Sequence, residues 1–311
     1  MKKMISAMLV FLMFAGLFAC IGAWAEEPKE EETENYATGD ASLDDPLNQD
    51  EIGEKELLVV SFGTSFNDNR RLTIGGIEKS LAEAFPEWSV RRGFTSQIII
   101  DHVFSRDGEA IDNVTQALDR AVDNGVKELM VQPTHLMHGF EYTDLIETLA
   151  AYADAFETIA VGEPLLTSEE DFSAVADIIV NATAAYDDGK TAICFMGHGT
   201  EAESNKVYAE MQQTLFDAGY DNYYVGTVEA EPSVEDVLAM VQEKEYTRIV
   251  LHPLMIVAGD HANNDMAGDD EDSWKSIFES AGYEVICKLE GLGQLPEIQE
   301  LFVAHAKDVI G

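Results

Sequence analysis

Positive charge is what this 311-residue chain lacks: 19 lysines and arginines stand against 59 aspartates and glutamates, a formal charge of −40. So few cations cannot neutralise a phosphate backbone, which excludes nucleic acid as a partner. The same imbalance creates a field that draws metal cations towards the protein. Cysteine is scarce too, with three in the whole chain, and Cys194 and Cys287 each sit inside an apolar run. Two thiols in a domain of this size make no disulfide framework, so both are expected as buried free cysteines. With 46% hydrophobic and 9% aromatic residues there is enough apolar material for a full core.

Long apolar runs are also missing, with one exception at the start. Lys2 and Lys3 precede an apolar stretch over residues 8 to 23 that is short for a membrane span and ends in Ala23-Trp24-Ala25. That pattern predicts a signal peptide over residues 1–25 and an exported, periplasmic protein. Leu17-Phe18-Ala19-Cys20 offers an alternative, a lipid anchor at Cys20, which the bulk of Phe18 disfavours. Residues 26–56 are rich in Glu and Asp, poor in large apolar side chains and without periodicity, and are expected to be a flexible acidic segment.

Beyond it the pattern alternates. Short apolar strands are predicted at 56–61, 129–132, 158–161, 191–196, 223–226, 248–252 and 284–288, separated by helical stretches near 70–84, 111–124, 141–155, 170–185, 201–218, 233–244, 270–281 and 296–309. Alternation of this kind implies an α/β fold with parallel sheets covered on both faces. The chain also repeats itself. ELLVVSFGTS parallels TAICFMGHGT, and LMVQPTHLMHGFE parallels IVLHPLMIVAGDH, so that Gly63 matches Gly199, Pro133 matches Pro253 and Gly139 matches Gly259. The matches set Phe62 opposite His198 and Glu141 opposite His261. Two similar parallel-sheet α/β domains are therefore expected, over residues 57–185 and 186–311, facing each other across a ligand cleft at their strand ends.

Chemistry concentrates at those ends. His198 lies in Gly197-His198-Gly199 just after a strand, and His261 follows a Gly-Asp turn in VAGDHANNDMAGDD, residues 257–270. A lone histidine at a strand end is most often structural; two at one rim make a plausible site for a borderline metal. A carboxylate would complete it, from Glu229 or Glu231 in VEAEP, or from Glu141 on the opposite half. Asp260, Asp265, Asp269 and Asp270 either orient imidazole N–H groups or cap the helix containing Trp274, the second being the safer reading for Asp269 and Asp270. His102, His135 and His138 fall outside the set, although Met137-His138-Gly139 on a loop could also ligate a haem iron.

SFGTS, FTSQIII, the GHG after a strand, VGTVE and above all HPLMIVAGDHANNDMAGDDEDSWK, followed by GLG and FVAH, resemble the anaerobic cobalt chelatases of cobalamin biosynthesis, class II chelatases of the CbiK type. The resemblance runs from about Leu57 to the C-terminus. It implies a lyase that inserts Co(II), as substrate metal, into sirohydrochlorin or its reduced precursor, without ATP and without an organic cofactor. It further implies that His198, Glu229 and His261 bind the metal, that the two histidines act in catalysis, and that Glu141 is an acidic active-site residue. Phe140 stands where an acidic residue is expected before Glu141. A tetrapyrrole's carboxylates need cations, and Arg70, Arg71, Arg91, Arg92 and Lys275 are the scarce candidates. Fe(II) or Ni(II) is an alternative metal, a periplasmic carrier of metal or haem is the alternative function, and a homo-oligomer is left open.

Overall fold

The structure, a computed structural model, describes residues 38–310. The expected signal peptide, Cys20 and the first part of the acidic segment lie outside these residues. Among the described residues no helix is long and apolar enough to cross a membrane.

Eight strands form two four-stranded parallel sheets. β1 (Lys55–Ser61), β2 (Ser89–Phe94), β3 (Glu128–Pro133) and β4 (Thr158–Val161) lie in the order β2-β1-β3-β4. β5 (Thr191–Gly197), β6 (Tyr223–Thr227), β7 (Arg248–Pro253) and β8 (Glu284–Cys287) repeat it as β6-β5-β7-β8. The register repeats as well: Val60 faces Pro133 across β1 and β3, and Met196 faces Pro253 across β5 and β7. All seven residues of β5 are buried, as a strand covered on both faces requires. The covering helices are α1 (Asn67–Leu72), α2 (Ile74–Ala84), α3 (Gln97–Asp107), α4 (Val114–Asp123), α5 (Phe140–Ala151), α6 (Glu169–Thr183), α7 (Lys206–Asp217), α8 (Val234–Gln242), α9 (Trp274–Ser280) and α10 (Pro296–Ile310).

Sequence patterning missed β2 and α3, and the reason is visible in the packing. β2 reads SVRRGF, and its two arginines are 1% exposed, so a buried strand carries the polar pattern of a surface one. Arg92 is held by both oxygens of Glu78 at 2.7 Å and by Asp44 at 2.8 and 3.1 Å. Arg70 donates to Asp44 at 2.6 Å, to Glu109 at 2.9 Å and to the Thr64 carbonyl at 3.2 Å.

Two expectations are corrected by this network. The acidic segment is ordered where the structure describes it: Asp44, just after a 3₁₀ turn at Ala41–Leu43, inserts a carboxylate with a 4% exposed side chain between two buried guanidiniums. Burial pushes the Asp44 carboxyl up, but the bonds and charges of Arg92 and Arg70 outweigh it and hold it below the usual carboxylate range. Second, Arg70, Arg91 and Arg92 are buried and committed to Asp44, Glu78, Glu109, Asp112 and the Leu47 and Gln49 carbonyls, and are not open to a substrate carboxylate.

One apolar cluster crosses from half to half, joining Leu57, Ile77 and Phe172 to Phe195, Tyr223 and Phe302. α10 comes from the second half of the sequence and packs back against α2, β3 and β4 of the first. Residues 38–310 consequently form a single compact unit.

Candidate metal centre

In each sheet the chain leaves the two central strands in opposite directions, and ligands of open α/β folds gather in the crevice this creates. In the second sheet the central pair is β5 and β7. His198 is the first residue after β5, and His261 ends the loop that follows β7. Glu229 follows the neighbouring β6.

The turn after β5 is tightly specified. Gly199 has φ +89°, and a Cβ there would stand 2.8 Å from the Ala230 nitrogen. Gly197 has no room for a Cβ against the Tyr208 ring. Glu229 N–H donates to the His198 carbonyl at 2.9 Å, and Val228 N–H to Gly197 at 3.0 Å, so the two loops run on as a continuation of the sheet. The Tyr208 hydroxyl of α7 accepts the Gly199 N–H at 3.2 Å from below. Burial pushes that phenol up to about 12, so it stays neutral. Tyr208 was invisible to sequence reasoning, since a tyrosine on a helix face reads as core.

The other ligand arm is held by the first half of the chain. Asn69 Oδ1 accepts the Ala258 N–H at 2.9 Å, and Thr64 Oγ1 lies 3.0 Å from where a Cβ on Gly259 would sit. After that contact His261 enters a π-helical turn, Ala262–Met266. The capping expectation is corrected here: Ser273, accepting the Ser276 N–H, caps α9, while Asp269 pairs with Lys275 at 2.6 Å. Lys275 is thereby engaged, and Arg71 is paired with Asp68 at 3.2 Å.

The three side chains converge. One ligand atom from each of His198, Glu229 and His261 lies within 4.8 Å of the others, and no other group of three potential ligands does so among the described residues. The imidazoles meet edge to face with centroids 4.6 Å apart. His198 Nδ1 lies 2.7 Å from the Gly199 carbonyl and His261 Nδ1 2.8 Å from Asp265 Oδ2. With both Nδ1 atoms engaged, the Nε2 atoms are the ones free for a cation. The side chains of His198, Glu229 and His261 are 45, 55 and 32% exposed, so the site opens to solvent. The hydrogen bond that His261 donates to Asp265 raises the His261 pKa above the ordinary imidazole value, against an opposing effect of burial and with help from the charges of Asp265, Glu229 and Asp260.

Glu141 does not join this cluster. It stands in the first turn of α5 and lines a groove with Phe94, Thr95, Gln97 and Asn113. Its charge nonetheless reaches the Tyr208 hydroxyl beneath the His198 turn. In the first half, Phe62 occupies the strand end equivalent to His198 and is 46% exposed. Glu231 is exposed and sits beside Asp236 on α8. The other three candidate histidines lie elsewhere: His138 pairs with Glu163 at 2.7 Å, His102 is on α3, and burial pushes His135 down to about 4.

Doubled four-stranded parallel sheets with a solvent-open His-His-Glu set at a strand-order crevice define an α/β protein of the metal-chelatase class. Solved structures agree on the fold: the SirB protein of Bacillus subtilis, with Fe3+, superposes with a TM-score of 0.57 at 12% identity, over 82% of this chain and 95% of that one. CbiX, described as the terminal enzyme of sirohaem biosynthesis in denitrifying bacteria, gives 0.52 at 16% identity, over 82 and 99%. The chain belongs to the cobalt chelatase (CbiK) family, whose profile matches residues 55–311. It is 36% identical over 252 residues to the sirohydrochlorin cobaltochelatase of Salmonella typhimurium, covering 81% of this chain and 95% of that protein. It is 29% identical over 254 residues to the sirohydrochlorin cobaltochelatase CbiKC of Nitratidesulfovibrio vulgaris, covering 81 and 89%.

Proposed function

We propose that this protein is a sirohydrochlorin cobaltochelatase, inserting Co(II) into sirohydrochlorin in the cobalamin pathway, with His198, Glu229 and His261 as the residues that receive and deliver the metal. The observation that carries the assignment of roles is the convergence of three ligand atoms within 4.8 Å, with both imidazole Nδ1 atoms already engaged. Two neutral imidazoles and one carboxylate bind a borderline divalent metal firmly and still exchange it. Chelation is a balanced exchange in which Co2+ enters the macrocycle and two pyrrole N–H protons leave. As a pyrrole nitrogen displaces a histidine, the freed Nε2 becomes a base at the place where the proton is released. Glu229, more than half exposed, provides the anionic ligand that offsets part of the metal's charge. Phe62, 46% exposed at the end of β1, is an apolar surface of the first half on which a tetrapyrrole ring could rest. The buried arginines are committed to carboxylates of the protein and do not serve those of the substrate.

The test is an absorbance assay with sirohydrochlorin and Co(II). The wild type turns over many equivalents, and His198→Ala and His261→Ala each lose activity by about 100-fold or more, as expected when an interaction made in the transition state is removed. A single stoichiometric binding event without turnover would support a carrier of metal or tetrapyrrole instead. The leader over residues 1–25 supports a periplasmic location. Fractionation that finds the protein in the cytoplasm at full length would overturn that placement.

A further inference from the structure

The two imidazoles of the metal centre are oriented by unlike partners. His198 Nδ1 meets a neutral acceptor, the Gly199 carbonyl at 2.7 Å, and stands 3.9 Å from Glu229. His261 Nδ1 meets a carboxylate, Asp265 Oδ2 at 2.8 Å. Asp265 is four residues on from His261 and lies within the π-helical turn Ala262–Met266 that His261 opens. A π turn is rare and recurs at functional sites, where its extra residue re-aims a side chain.

The turn is itself fastened by other groups. Asn263 Nδ2 donates to the Gly259 carbonyl at 2.7 Å, Asn264 Nδ2 to Asp260 at 2.6 Å, and the Gly268 N–H to the Asn264 carbonyl at 2.9 Å. Ser273 Oγ then closes the far end on the Gly268 carbonyl at 2.8 Å. Asp265 is not needed for any of these bonds. Its carboxylate instead takes Nδ1 of the His261 ring, which leaves Nε2 as the nitrogen for the cluster with Glu229 and His198.

From this geometry we infer that Asp265 is a positioning residue: it fixes His261 as the Nδ1–H tautomer, aims Nε2 at the incoming metal, and makes His261 the stronger of the two imidazole donors and the anchoring ligand. The inference rests on the metal-binding role proposed for His261. A carboxylate behind a ligating histidine holds the ring and raises its donor strength, and loss of such a partner typically weakens metal binding by about 10- to 100-fold. Free imidazole favours the opposite tautomer, so without Asp265 the metal-facing nitrogen would carry a proton and lose its lone pair.

Two measurements on the full chain test this. Long-range 1H–15N spectra of the metal-free protein, recorded where the imidazoles are neutral, are expected to show His261 as Nδ1–H and to show Asp265→Ala shifted to Nε2–H. Titration with Co(II) alone, followed by ligand-field absorption, is expected to give about a 10- to 100-fold weaker affinity for Asp265→Ala and a smaller loss for the near-isosteric Asp265→Asn, whose amide keeps an acceptor but not the charge. In a His261→Ala background both substitutions should change the affinity by less than about twofold, because the interaction they remove is already gone. An unchanged tautomer in Asp265→Ala, or an equal loss of affinity in the His261→Ala background, would overturn the inference; the latter would mean that Asp265 only stiffens the turn. Failure of the metal-binding reading itself looks different, since the wild type would then take up no stoichiometric Co(II) although the tautomer still responded.

Discussion

Replacing Asp44 by Asn tests whether the segment before β1 is part of the folded body. The side chain is 4% exposed and holds Arg70 at 2.6 Å and Arg92 at 2.8 and 3.1 Å, the arginines being 0 and 1% exposed as side chains. Asn keeps the shape and removes the charge, so two buried guanidiniums share fewer anions: Arg70 retains Glu109, and Arg92 retains Glu78. Removing one partner of a buried ion pair costs about 3–5 kcal/mol. For a folded unit of this size each kcal/mol lowers Tm by about 2 °C, which predicts a fall of about 6–10 °C. The measurement is thermal unfolding of Asp44→Asn beside the wild type near neutral pH. The sign with pH also follows: a carboxyl held below its ordinary value stabilises the fold above that value and loses its contribution as pH falls through the lowered one. The two melting curves should therefore converge in strong acid. A Tm within about 1 °C of wild type near neutrality would refute the reasoning, because it would mean the arginines never depended on this segment.

Glu56 is 1% exposed, its two oxygens have no hydrogen-bond partner, and burial raises it from 4.5 to about 7 despite Arg91 nearby. The folded state thus holds its proton where the unfolded state does not, and stability should fall by about 3 kcal/mol as pH rises across that interval; Glu56→Gln should abolish the slope in urea unfolding midpoints. Gly197→Ala would drive a methyl into the Tyr208 ring and should cost about 1–3 kcal/mol while displacing His198, so that Co(II) affinity falls together with Tm. Because the His261 pKa is raised above 6.5, protons compete with metal to a higher pH than at an ordinary imidazole. Co(II) affinity, read by isothermal titration, should still be rising above that value, and a plateau reached below it would contradict the assignment.

Much of the architecture could be read from the chain because apolar runs such as TAICFMG and RIVLHP are buried on both faces and carry little else. The repeat was legible for a related reason: Pro133 and Pro253 end the same strand in each half, opposite Val60 and Met196. β2 escaped notice because two buried arginines interrupt its apolar residues Val90 and Phe94, and nothing in SVRRGF announces partners at Asp44 and Glu78. The same long-range pairing misled the reading of the acidic segment, whose composition suggests disorder while one of its carboxylates fills a core position. His198, Glu229 and His261 could be proposed from their places at strand ends. Tyr208 and Thr64 could not, since they act on the metal loops from a helix and from the other half of the chain, through contacts that no local pattern records.

The shared core limits how substrate can arrive. Proteins with two lobes commonly open by swinging one against the other, but here such a swing would pull α10 off α2 and split the cluster that contains Leu57 and Phe302. The placement of the two halves is thus set by packing and not by a hinge. A ligand that meets both halves therefore has to fit surfaces whose relative placement the core already sets.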